Sequence, residues 1–334
     1  MSVHVFGECD GVPVLEITIA SQAGATAKIL TWGATVRDLA VPSRNGPQRV
    51  VLGLNSVADY QAHSAHMGAI AGRFANRIAR GRFALAGQAF QLGLNDGRNS
   101  LHGGGHGFGV RPWKLVAHDA HSVTLGLHSP DGDGGYPGAM DVTCIYTLAE
   151  PATLRVELKA VCDKATIVNL AHHSYFNLDG SADILDHEIM LPCSFRTPID
   201  GELIPTGEIA AVAGTSWDFL TPRKIGARDT LYDGNFVIDA EVSPETGLAH
   251  CATVRSLKNG LAMAVHTTEP CVQFYDGAKM NTPVPGLDGV RYGAHAGFCL
   301  EPQVMPDAPN RRHFNTCVLM PESEYRQVTE YRFG

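Results

Sequence analysis

The chain has 334 residues, of which 44% are hydrophobic, 18% are charged and 36 are glycine. Hydrophobicity this high with so little charge excludes intrinsic disorder, and the absence of a heptad pattern excludes a coiled coil. A net charge of −8 argues against a nucleic-acid partner, whose binding rests on neutralising phosphates, and against an anionic membrane surface.

No run approaches the ~18 uncharged apolar residues of a membrane helix. The opening MSVHVFGECDG lacks the basic start and apolar stretch of a secretory signal. A cytoplasmic protein is expected. The eight cysteines are scattered without a CxxC pair and read as small buried hydrophobes in a reducing compartment rather than as a disulfide framework.

Along the chain the dominant hydrophobic period is two, the signature of strands. Val14, Ile17 and Ile19 lie in the first such run. The segment Ser56 to Ala62 is a short helical candidate. Ile70 to Ile78 has helix-like spacing interrupted by Gly68 and Gly72. Phe83 and Leu85, then Phe90 and Leu92, predict a hairpin turning at Ala86-Gly87. Val142, Cys144, Tyr146 and Leu148 alternate up to a turn at Glu150-Pro151, after which Leu154, Val156 and Leu158 alternate back. Asn259-Gly260 predicts a tight hairpin, because both residues tolerate positive φ. The tail alternates again from Tyr325 to Phe333.

No βαβ alternation recurs, so a doubly wound sheet and a TIM barrel fit poorly. No fixed-period repeat or low-complexity linker divides the chain. Residues 1–334 are therefore read as one domain, an all-β fold built as a large antiparallel β-sandwich with few short helices.

Several motifs fail on inspection. Gly103-Gly104-Gly105-His106-Gly107 lacks the spacing and the following helix of a dinucleotide site. Asp131-Gly132-Asp133-Gly134 lacks the later ligands of a calcium loop. His63 and His66, and His102 and His106, have metal-like spacings, but three glycines make a helix over 102–106 implausible. His172 and His173 are adjacent and on a strand would face opposite ways. No metal centre and no dinucleotide site is expected from these motifs.

Four segments combine rare polar groups with glycine or aromatic residues: AGRFANRIARG (71–81), NSLHGG (99–104), HHSYFNLDG (172–180) and CLEPQ (299–303). Glu301 follows the apolar run Gly297 to Leu300. Carboxylates are seldom buried without a partner, and Pro302 should end ladder bonding there, so Glu301 reads as a carboxylate held at a strand end beside a core. His173 is followed by Ser174, Tyr175, Phe176 and Asn177, a wall suited to a sugar. Asn177, Gln273 and Asp233 can hold hydroxyls.

On these blocks the chain closely resembles the aldose 1-epimerase (galactose mutarotase) family. GRFANRI, NDGRNSLHGG, SPDGDGGYPG, HHSYFNLDG, IDGELIPTGEI, VQFYDG, GFCLEPQ and MPDAPN occur in the family's order over most of the chain. The resemblance implies an antiparallel β-sandwich, no metal, no cofactor, and interconversion of the α and β anomers of a free aldose such as galactose, glucose, xylose or arabinose.

It also implies roles for particular residues. His173 corresponds to the general acid, Glu301 to the general base and His102 to a histidine beside the ring oxygen. Arg73 and Asn76 of the GRFANRI block correspond to sugar contacts, as do Asp233 and Gln273. Three positions depart from the family pattern: His172 precedes the catalytic histidine in place of Asn, Gly234 follows Asp233 in place of His, and Pro302 follows Glu301 in place of Thr. The lost side chain at 234 is expected to alter the pocket rim.

Anomer exchange requires one proton to leave the anomeric hydroxyl and one to reach the ring oxygen, so two groups of matched basicity suffice. Glu301 is assigned to the hydroxyl and His173 to the ring oxygen, with nearby Glu301 expected to favour the charged imidazolium.

Three alternatives remain at this point. One is a non-catalytic sugar-binding protein of the same fold. The second is an enzyme acting on a sugar phosphate held by Arg73, Arg77, Arg80 and Arg82. The third is a metal-dependent β-sandwich enzyme. A monosaccharide is the expected partner, and the chain is read as a monomer or homodimer.

Overall fold

A computed structural model describes residues 2–64 and 66–334 of the chain. Strands form where the alternation is cleanest. Met140–Ala149 and Thr153–Cys162 pair antiparallel along their full ten-residue lengths. Val142, Cys144, Tyr146 and Leu148 on one strand, and Leu154, Val156 and Leu158 on the other, are buried.

This hairpin lies within a nine-stranded sheet. Its order is Lys114–His118, Ser122–Ser129, Met140–Ala149, Thr153–Cys162, Tyr325–Phe333, Ala262–Thr267, Ala249–Arg255, Glu188–Met190 and Arg223–Lys224. The last strand of the chain is thus inserted into the middle of the sheet. A five-stranded meander of Ser2–Cys9, Val12–Ala20, Thr26–Leu30, Thr35–Ser43 and Gly46–Arg49 keeps chain order. A second five-stranded sheet runs Ala210–Ala211, Phe195–Thr197, Asp233–Val237, Cys271–Tyr275 and Cys299–Gln303.

The ladders of all three sheets are antiparallel. One apolar cluster joins them: Ile17 and Ile29 from the meander, Tyr146, Val156 and Tyr331 from the large sheet, and Phe236, Phe274 and Leu300 from the third. This is the packed-layer solution expected of strands with one apolar face each.

The predicted helix is present as Val57–His63. The Ser56 hydroxyl caps it by accepting from the Asp59 amide. The Ala86-Gly87 hairpin is present too, with φ of 49° and 80° at its two turn residues.

Three local expectations differ from the structure. Ile70 to Ile78 holds two short strands, Ile70–Ala71 and Arg77–Ile78, and no helix. The Asn259-Gly260 hairpin has a longer loop, because the last strand pair is Arg255 with Ala262. Only Gly260 is left-handed there, and the Ser256 carbonyl accepts from its amide. Pro302 does not end its strand, because Cys299–Gln303 is the edge of its sheet, where proline is tolerated.

Candidate active site

The edge sheet builds one wall of the site by strict alternation. Gln273 lies opposite Asn235 on one side and Glu301 on the other, and Asp233 lies opposite Tyr275. Paired residues share a face, so Asp233, Gln273, Tyr275 and Glu301 point one way. Phe236, Phe274 and Leu300 point the other way into the core. Glu301 therefore stands mid-strand rather than at a strand end. The Asp233 carboxylate accepts from the Gln273 amide at 2.6 Å, and Gln303 donates to Gln273 at 3.4 Å.

Opposite this wall stand the histidines. His172 ends the short strand Ala171–His172, and His173 just beyond it faces the opposite side, as successive residues of an extended chain do. His172 is buried among Tyr146 and Tyr331 and shares a hydrogen bond with the Ser174 hydroxyl at 2.8 Å. His173 faces the pocket. Its Nε2 lies 3.5 Å from Glu301 Oε2, and its Nδ1 is 3.6 Å from the Cys299 thiol.

His102 stands on a turn of three consecutive left-handed residues, with φ of 52°, 88° and 78° at His102, Gly103 and Gly104. Its Nδ1 accepts from the Asn76 amide at 3.2 Å, and its own amide donates back to the Asn76 carbonyl. Burial and the neighbouring histidines hold His102 well below the usual imidazole range, so the ring is neutral and carries its proton on Nε2.

Together these side chains line a cavity of about 270 Å³ whose wall includes His66, Asn76, Arg77, His102, His173, Tyr175, Asp233, Gln273, Tyr275, Lys279 and Glu301. Six of the seven sequence-predicted site residues meet there: His102, His173, Glu301, Asn76, Asp233 and Gln273.

Arg73 does not reach the cavity. It is buried away from the cavity, donating to the Pro137 and Gly138 carbonyls at 2.9 Å and to the Ser129 hydroxyl at 2.6 Å, with its guanidinium over the Tyr136 ring. It is a clamp between loops. The arginine of the block that lines the cavity is Arg77, held by Asp96 at 2.7 Å. Arg80 and Arg82 are exposed outside it, so the four arginines form no phosphate cradle.

Gly234 also departs from expectation. A Cβ there would fall 2.5 Å from the Trp217 ring, so position 234 faces the core side of the sheet and not the pocket rim. Of the lining residues, sequence reasoning named Tyr175 as part of a sugar wall and Arg77 only as part of a phosphate cluster, and missed His66, Tyr275 and Lys279. The "YFN" and "QFYD" blocks carried a signal for the two tyrosines.

Burial dominates the electrostatics. It pushes the His173 imidazole down to about 3, with His66 adding to the effect. It pushes the Glu301 carboxyl well above its usual range, with Asp233 adding to the rise and Arg77 opposing it. The expectation that Glu301 would favour a charged imidazolium is therefore corrected. Both partners are nearly sealed from water, and desolvation of each charge outweighs their attraction. At 3.5 Å the two groups are close enough for the protonation of one to bear on that of the other.

His102, His173 and Glu301 offer ligand atoms within 4.8 Å of one another, close enough to share an ion. The donor set fits a cation poorly. Metal ligation through the pocket nitrogen of His102 would place a proton on Nδ1, directed at the Asn76 amide that now donates to it. His63 and His106 are not among the residues lining the cavity, so neither spaced pair converges.

A second cleft of about 200 Å³, beside Arg49, Asn177 and Tyr292, has Arg49 already engaged by Asp38 and Asp288. It brings together no comparable acid and base.

The family model described as aldose 1-epimerase matches residues 16–332. The galactose mutarotase of Bos taurus is 40% identical over 92% of this chain and 90% of its own length. The aldose 1-epimerase of Escherichia coli (strain K12) is 35% identical over 97% and 96%. Among solved structures, an aldose epimerase homologue from C. elegans superposes with a TM-score of 0.90 at 30% identity, covering 96% of this chain and 98% of that one.

Proposed function

We propose that this chain, which belongs to the aldose 1-epimerase family, exchanges the α and β anomers of a free aldose by proton transfer between Glu301, His173 and the two oxygens of the anomeric carbon. The observation that carries the reading is the 3.5 Å approach of His173 Nε2 to Glu301 Oε2 on the wall of a cavity that also presents Asp233 and Gln273. The anomeric hydroxyl and the ring oxygen are borne by one carbon, so two groups this close can address both at once. Ring opening takes the proton from the hydroxyl to Glu301 and delivers one from His173 to the ring oxygen. The freed aldehyde turns about its C1–C2 bond, and closure reverses both transfers on the other face.

Burial favours the uncharged form of both groups. A sugar hydroxyl donating to Glu301 favours the carboxylate, and moving the carboxyl proton to His173 then arms both groups. His102, neutral with Nε2–H directed to the cavity, donates to the oxygen that gains charge. Asp233 and Gln273 hold ring hydroxyls from the opposite wall, and Arg77 replaces Arg73 as the cationic contact.

The dispersal of the four arginines supports a neutral sugar over a sugar phosphate. The presence of both proton-transfer partners supports an enzyme over a non-catalytic sugar-binding protein. The eight free cysteines, seven of them buried, support a reducing, cytoplasmic setting. No helix of the described residues is long and apolar enough to cross a membrane.

Glu301→Gln and His173→Asn should each lower kcat by about 100-fold or more, followed by polarimetry of a freshly dissolved α-aldose. Folded variants with near-normal rates would remove the assignment.

A further inference from the structure

His66 stands in the cavity wall with no part in the proton transfers. It is one of the non-glycine residues held in the left-handed region, with φ of 64°, a conformation that costs an L-residue about 1–2 kcal/mol and tends to persist where the surroundings demand it. The turn aims its ring into the cavity, 4.6 Å from the His102 ring and 6.1 Å from that of His173, measured between centroids.

Nδ1 is sealed from solvent without a hydrogen-bond partner. It is packed so closely to Gly109 that a Cβ there would lie 3.3 Å away. Burial holds the ring down to about 4, so it is neutral and has one proton to place. A bare lone pair against the Gly109 methylene costs less than an N–H donor with nothing to accept it. The proton therefore belongs on Nε2, for which no partner exists among the described residues.

Position identifies what Nε2 meets. The following step rests on the reading above, in which Glu301 holds the anomeric hydroxyl and His173 and His102 the ring oxygen. His66 packs against the two imidazoles but lies outside the cluster in which His102, His173 and Glu301 come within 4.8 Å. Gln273, directly opposite Glu301 in the ladder, occupies the side of C2. Going round the pyranose from the anomeric carbon past the ring oxygen, the next atom is C5, which in a hexose bears the hydroxymethyl group and in a pentose bears none.

We propose that His66 is a specificity-determining contact whose Nε2–H donates to the C5 hydroxymethyl oxygen, so that the site favours hexopyranoses over pentopyranoses.

The test uses two sugar pairs with matching ring hydroxyls, D-galactose with L-arabinose and D-glucose with D-xylose, and compares wild-type protein with His66→Phe and His66→Gln by polarimetry. Phe keeps a ring and removes the donor, and Gln restores an N–H. His66→Phe should lower kcat/KM for the hexoses about tenfold, the worth of one good hydrogen bond, chiefly through KM. It should leave the pentoses within about twofold, and His66→Gln should recover part of the hexose loss.

Equal losses on hexose and pentose, or no loss on either, would overturn the inference while leaving the mutarotase reading standing. Wild-type protein that accelerates none of the four sugars would remove the reading itself, and the inference with it.

Discussion

At the scale of single residues, the site holds two buried titratable groups, Glu301 and His173, 3.5 Å apart, with charged neighbours acting on the first. Asp233 raises the Glu301 carboxyl and Arg77 lowers it. Removing each should therefore move the pH profile in opposite directions. A negative neighbour favours protons on the pair, so Asp233→Asn lowers both of its macroscopic values and shifts the kcat/KM profile to lower pH. Arg77→Met removes a positive neighbour and shifts it to higher pH. Asp233→Asn should also raise KM by about tenfold, because a hydroxyl contact is weakened. A profile that stays in place in both variants, followed by polarimetry across the pH range, would show that the Glu301–His173 pair does not control the rate.

The residue scale is also where sequence reading reached its limit. GRFANRI presents two arginines of equal chemistry. What separates them is Asn76, left-handed at φ 61°, and the partners Ser129, Pro137 and Gly138 that capture Arg73 from more than 50 residues away. No local pattern reports such partners.

Elements were more legible, because a strand's period is local. The runs at 142–148, 154–158 and 325–333 read directly as strands, and Ala86-Gly87 as a turn. Where backbone path rather than period decides, legibility fell. The glycines of 103–107 gave no sign that they fold into the turn that presents His102. That turn predicts its own fragility. A Cβ on Gly103 would lie 1.9 Å from the Gly72 carbonyl oxygen, at a φ of 88°. Backbone rather than a flexible side chain blocks it, so the loop must move and His102 must move with it. Gly103→Ala should destabilise the protein by about 2 kcal/mol or more and lower kcat. Gly105→Ala, with no atom within 4 Å of the added methyl, should leave both nearly unchanged. Thermal unfolding and initial rates of the two variants give the comparison, and similar behaviour of both would refute this account of the loop.

At the scale of the whole molecule, the sandwich seals polar groups it cannot all satisfy. Sheet order was beyond sequence reasoning, since the nine-stranded sheet places Tyr325–Phe333 beside Thr153–Cys162, a pairing that only the packed apolar cluster selects. One consequence is Glu269, buried just beyond Ala262–Thr267, with an Oε2 that meets no hydrogen-bond partner. Cys271 and Tyr325 are its titratable neighbours, and its charge raises both of them.

Burial lifts the Glu269 carboxyl from its ordinary 4.5 to about 8. A carboxyl raised in the folded state is protonated there at pH values where the unfolded chain has already released its proton. Its full contribution to stability is therefore present below 4.5 and is lost progressively as the pH rises to about 8, at up to about 1.4 kcal/mol per pH unit. Gln has the shape of the protonated acid and does not titrate. Glu269→Gln should thus melt near the wild type at pH 4.5 and several degrees above it at pH 8. The Glu301 contribution is common to both proteins and cancels in the difference. Melting curves of the pair across this range decide the matter: a gap that widens with pH is expected, and a gap that stays constant would mean that the Glu269 carboxyl is ionised in the folded protein throughout.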